Sequence, residues 1–198
     1  MDVIAFNKVF PRNGRNISLE LLVDGLENVI GSSSSVNSVF IKGSESLRKA
    51  DGSLDLNALR LHNAIEHDAS LVHQDGPLSW VKDQSLVEDM MSFSKNGVTL
   101  NSDELGRYRR KRTDYCKDNT PGFTYGFNQE FLAISETSFV LLFFGNGETA
   151  NVADARSWLG EERIPASFVP KSMDTRKEVG FFDVLGMNGR IKSAAGWL

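Results

Sequence analysis

Three histidines, His62, His67 and His73, fall within twelve residues of one another, beside Glu66, Asp68 and Asp75. A histidine takes or gives a proton near neutral pH, and carboxylates hold cations or shuttle protons, so the crowding marks a polar centre. On a helix His62 and His67 stand five residues and about 140° apart around the axis, so they do not share a face as the histidines of a zinc protease do. Glu66, the backbone carbonyl of His67 and the Ser70 hydroxyl offer hard oxygen ligands for magnesium or calcium at a helix end. A polar helix terminus followed by an Asx or Ser turn explains the same residues without an ion.

Glu136 is the second place where chemistry is legible. It is the only charge in Phe131–Phe144, with Leu132 and Phe139 one turn away. In such surroundings desolvation disfavours the anion and raises the pKa, which suits a carboxyl to general acid–base work. The alternative places Glu136 with Ser135, Thr137 and Ser138 in a polar stripe facing solvent.

The basic run from Arg107 to Arg112 is flanked by Asp103, Glu104, Asp114 and Asp118 in a chain of net charge −4. A charge-laced, solvated helix face explains it better than a nucleic-acid contact, so no nucleic-acid partner is expected. Cys116, the only cysteine, closes no disulfide within the chain. Without a histidine nearby it reads as a buried or idle thiol.

These residues need helices to position them. The 198 residues are 40% hydrophobic and 24% charged, an ordinary globular composition for one domain over 1–198. Apolar spacing predicts a helix from Ile17 to Val29, capped by Asn16 or Ser18 and stopped by Gly31. A flexible loop is expected at Ser32–Ser35, and further helices over 54–65, 83–95, 102–117 and 127–144, with weaker ones at 151–160 and 174–186. Period-two alternation is scarce, so the fold class is mostly α, a multi-helix domain. The longest apolar stretch, Phe139–Phe144, is too short to span a bilayer, and no signal peptide is legible at Met1–Lys8.

Three segments in this order resemble the fungal heme-thiolate peroxidases, the heme haloperoxidase family that includes chloroperoxidase and the unspecific peroxygenases. They are Phe10-Pro-Arg-Asn-Gly-Arg-Asn-Ile-Ser18, Leu61-His-Asn-Ala-Ile-Glu-His-Asp-Ala-Ser-Leu71 and Glu130-Phe-Leu-Ala-Ile-Ser-Glu-Thr-Ser138, with a similar stretch from Trp158 to Pro165. The likeness runs over roughly residues 4–185.

The resemblance implies a b-type heme, hydrogen peroxide as oxidant, and a small organic or halide substrate. It implies that Glu66, Ser70 and the carbonyl of His67 hold a Mg2+ ion against a heme propionate. Glu136 and His67 would then be the distal acid–base pair, with Asp68 supporting the loop. Phe127 and Phe131, with Phe123, are candidates to line the heme pocket, although an aromatic stripe at four-residue spacing also suits plain core.

In that family the iron ligand lies in a Pro-Cys-Pro motif about a dozen residues before the Pro-Arg-Asn-Gly-Arg turn. The chain starts after that point, and Phe6, Asn7 and Lys8 stand where the family has Asn-His-Gly. Two expectations follow: an upstream start that supplies a secretion signal and the cysteine, or a truncated relative that keeps the scaffold as a binding or interaction protein.

Overall fold

A computed structural model of the chain describes residues 10–198, so the expectation for Phe6–Lys8 lies outside the described residues. Helix α1 (Leu19–Gly25) begins where Ser18 Oγ accepts the backbone N–H of Leu21 at 3.2 Å. It continues through a wider π turn, Leu26–Ile30, to Gly31 at φ +87°, a left-handed stop that glycine adopts without a Cβ clash.

The expected flexible loop at Ser32–Ser35 instead opens helix α2 (Ser34–Gly43). Ser32 Oγ donates to Asn37 at 2.6 Å, and the Ser33 carbonyl accepts from the amides of Val36 and Asn37. The short polar residues therefore serve the start of a helix rather than a linker.

The stretch 54–65, expected as a helix, holds only a 3-10 turn, Leu56–Arg60. Leu54 exchanges two 2.9 Å backbone hydrogen bonds with Ile17, and the Leu56 amide donates to Gly14 at 2.8 Å. Leu56 and Leu61 stay largely exposed, so no apolar stripe is available to be buried.

Helix α3 (Gln84–Ser92) is capped by Asp83. A strand β1 (Thr99–Asn101) leads into the long helix α4 (Ser102–Asn119). The cap is Asn101, which closes a reciprocal capping box with Glu104. Helix α5 (Phe127–Leu142) is followed by β2 (Thr149–Asn151), which pairs antiparallel with β1 in the register Leu100 to Ala150. A short helix α6 (Val152–Ala155) widens into a π turn, Arg156–Gly160. The last helix, α7 (Phe181–Ala194), begins later than expected, where the Gly180 amide meets the Asp183 carboxylate at 2.7 Å.

The mostly α fold class thus holds, with one small two-stranded sheet among the described residues. Helices α4, α5 and α7 form the centre, enclosing Leu105, Tyr108, Ile134, Leu141, Met187 and Ile191. At the α4–α7 crossing a Cβ on Gly106 would come within 2.5 Å of Ala194 Cβ, so the helices approach only because residue 106 has no side chain. Helix α5 meets α7 through a satisfied polar pair. Asn188 accepts from Ser138 Oγ at 2.6 Å and donates to Ser135 Oγ at 3.0 Å. No described helix is long and apolar enough to cross a membrane.

Candidate active site

Glu136 sits in the middle of α5, where the helix passes the loop that carries residues 66–75. A cavity of about 320 Å3 opens beside it, lined by Phe10, Leu22, Leu26, Phe40, Phe139, Phe143, Phe144 and Trp158 among others. Among the described residues Glu136 is the one ionisable side chain in that lining, and 26% of its side-chain surface is open. The polar-stripe reading therefore fails: the carboxyl borders an apolar chamber.

Both carboxylate oxygens are taken up on the loop side. Oε1 accepts the Ser70 hydroxyl at 2.7 Å, both oxygens accept the Leu71 amide at 3.1 Å, and Oε2 accepts Arg109 Nη2 at 3.0 Å. Burial alone would raise the pKa, as the apolar sequence context suggests. The charge of Arg109, with the Ser70 and Leu71 hydrogen bonds, outweighs it and holds the carboxyl below its ordinary range. The expected upward shift is thus reversed, because the sequence neighbours of Glu136 are apolar while its spatial neighbours are donors.

Arg109 was hidden in the basic run. It is fully buried, and Arg112 one turn on is almost so, which corrects the reading of that run as a solvated face. Leu105, Tyr108, Arg109, Arg112 and Cys116 share one buried face of α4 at helical spacing, and Arg107, Arg110 and Lys111 take the outside. That stripe was the available signal: two arginines lie inside an otherwise core-like face. Arg109 Nε donates to Thr137 Oγ1 at 2.8 Å, and its Nη1 reaches the carbonyl of Ala69. Arg112 binds the carbonyls of Ser70 and His73 and the Asp75 carboxylate at 2.6 Å. Tyr108 adds a 2.6 Å bond to the Leu71 carbonyl. One face of α4 thereby holds the loop against α5, and Ala69 at φ +59° is fixed from both its amide and its carbonyl.

The loop residues themselves are distributed as follows. His67 is buried; its Nδ1–H donates to the Asp68 carbonyl at 2.9 Å, and no hydrogen bond joins it to Glu136 among the described residues. Burial pulls its pKa down, with the Glu136 charge opposing, so the ring is neutral near pH 7. Asp68 is turned away from Glu136: its oxygens accept the amides of Gly76 at 2.8 Å and Thr124 at 3.1 Å, and His62 stands at 3.5 Å. Glu66 is half-buried, and burial followed by the nearby Glu136 charge pushes its carboxyl up to about 8. Its Oε1 is buried without a hydrogen-bond partner, an atom suited to a cation. Ser70 Oγ spends its proton on Glu136, and His73 Nδ1 stands 3.4 Å from the same oxygen. A separate trio, Asp68, Asp75 and Cys116, lies close together, but Arg112 already neutralises Asp75.

Phe127 and Phe131, candidates for the pocket wall, are absent from it. Phe127 is 85% exposed, and Phe131 packs against Phe181 on the α7 side. They lie about 180° and 140° around the α5 axis from Glu136, while Phe139, Val140 and Phe143 fall on its side. Cys116, buried and bonded to Thr120 Oγ1 at 3.2 Å, is also outside the wall, and burial pushes its thiol up to about 12.

The result is a mostly helical domain that sets one carboxylate, with a guanidinium behind it, into an apolar chamber. The chain belongs to family 2 of the peroxidases, whose family model matches residues 5–173. No match to the chain was found among curated proteins.

For the heme such a family implies, the apolar chamber and its carboxylate fit. The described wall holds no cysteine, histidine, tyrosine or methionine to ligate iron.

Proposed function

We propose that the chain serves a heme-dependent peroxidase or peroxygenase reaction, in which hydrogen peroxide oxidises a small organic substrate or halide and Glu136 handles the proton. The observation that carries this reading is the position of Glu136 as, among the described residues, the one ionisable group facing an apolar cavity. A bound heme would supply the iron at which peroxide is cleaved.

The chain's own part is proton traffic. Glu136, kept ionised by Arg109, Ser70 and Leu71, accepts the proton of a peroxide O–H in the cavity. The same donors favour the anion again, so the protonated carboxyl gives its proton up to the departing oxygen. His67, neutral beside it, presents its Nε2 as an acceptor, and Asp68 holds the loop that carries both His67 and Ser70. Glu66, Ser70 and the His67 carbonyl would hold Mg2+ through hard oxygens, a role supported by the unpartnered Glu66 Oε1.

Titration with hemin, followed by the Soret band, tests the cofactor. Glu136→Gln at equal heme load should then lose about 100-fold in peroxide turnover. No Soret band, or turnover equal to the parent, overturns the proposal.

The apolar lining of the cavity also suits a second reading, a non-catalytic scaffold that binds small apolar molecules. It predicts saturable uptake of an apolar fluorophore in the cavity and no peroxide turnover even with hemin added.

A further inference from the structure

A cleft of about 710 Å3 lies between the Phe10–Arg15 segment and the 3-10 turn at Leu56–Arg60. Arg12 and Arg15 come from one wall and Arg60 from the other, in a chain whose net charge is −4. None of the three guanidinium groups is paired with a carboxylate among the described residues. The one acid in the lining, Asp55, is already engaged by Lys49 at 2.6 Å and by the Asn16 amide at 2.8 Å. Arg15 acts on Asp55 electrostatically but does not bond it. Arg60 is held with its guanidinium carbon 4.3 Å from the Trp80 ring centroid, and among the described residues its N–H groups have no hydrogen-bond partner.

The walls are tied together by backbone. Leu56 N–H donates to the Gly14 carbonyl at 2.8 Å, and Ile17 and Leu54 exchange two bonds at 2.9 Å. The cleft is thus formed before any ligand arrives, which lowers the ordering cost of binding. Leu56 and Phe10 give its lining an apolar part, and Phe10 also lines the Glu136 cavity.

From the three cations in the lining, the neutralised acid and the apolar part, we infer that this cleft binds a small organic dianion, a phosphate ester or a dicarboxylate with an apolar body. Guanidinium forks match either oxyanion in a bidentate geometry, and the cleft volume suits a small molecule. This site is independent of the proton chemistry at Glu136.

Calorimetric titration of the chain at low salt with phenyl phosphate, phthalate and phenol tests the inference. One or both anions should bind with one-to-one stoichiometry, phenol should not, and affinity should fall as salt is raised. Tighter binding of phenyl phosphate identifies a phosphate ester, and tighter binding of phthalate a dicarboxylate. Arg12→Gln should weaken binding about tenfold, and adding Arg60→Gln should weaken it further. Arg12 is exposed and makes no side-chain bond among the described residues, so its substitution tests the site even if Arg60→Gln disturbs the Trp80 contact. The inference is overturned if neither anion saturates, if phenol binds as well as the anions, or if Arg12→Gln binds unchanged.

Discussion

Arg109, with none of its surface exposed, donates from Nη2 to Glu136 Oε2 at 3.0 Å across the α4–α5 contact. This contact decides the ionisation of the acid in the cavity wall, because it supplies the positive charge that offsets burial. Without it the same carboxyl would titrate at a higher pH.

Removing either partner leaves the other charge poorly compensated in the interior. Arg109→Met should lower stability by about 3–5 kcal/mol. The double variant Arg109→Met/Glu136→Leu should cost less than the sum of the two single changes. Urea unfolding of all four proteins measures the coupling, and strict additivity would remove the case for a linked pair.

The two carboxyls near the loop respond to pH in opposite directions. Glu66 has a folded pKa raised from 4.5 to about 8, so its contribution is complete below about 4.5 and is lost as pH rises towards 8. Glu136 has a folded pKa below 4.5, so its contribution is present above that value and is lost as pH falls further. In metal-free protein the urea midpoint of Glu66→Gln should therefore decline less between pH 5 and pH 8 than that of the parent. Parallel declines would place the Glu66 carboxyl in solvent.

Gly106 is where two helices touch with no room for a methyl group. Gly106→Ala would set Cβ against Ala194 Cβ and the Ile191 carbonyl at 2.5 and 2.8 Å. The overpacking should cost about 1–3 kcal/mol, despite the better helix propensity of alanine. A melting temperature equal to the parent's would show that the crossing relaxes freely.

Cys116 is buried, and its thiol is pushed up to about 12. The native protein should stay unlabelled by Ellman's reagent at pH 8 over an hour, and unfolding in urea should release one thiol per chain. Rapid labelling of the native state would require the α4 face to open.

Much of this architecture was readable along the chain. The apolar periods of 17–29, 83–95, 102–117 and 127–144 set helices, because a stripe that must be buried fixes a 3.6-residue repeat. Ser18 and Gly31 marked the ends of the first of these through local hydrogen bonding and backbone freedom. The isolation of Glu136 among apolar residues singled it out as an acid worth examining. Tertiary contacts decided the rest. Leu54 and Leu56 give their backbone to Ile17 and Gly14, which prevents the helix their leucines suggest. Phe127 and Phe131 belong to the far side of α5, a matter of phase once Glu136 fixes which side faces the cavity. Above all, the charge state of Glu136 depends on Arg109, Ser70 and Leu71, which lie 27 to 66 positions away in the chain. Hydrophobic periodicity is a local property that neighbouring residues carry, whereas a pKa is set by whichever charges and donors the fold brings within a few ångströms.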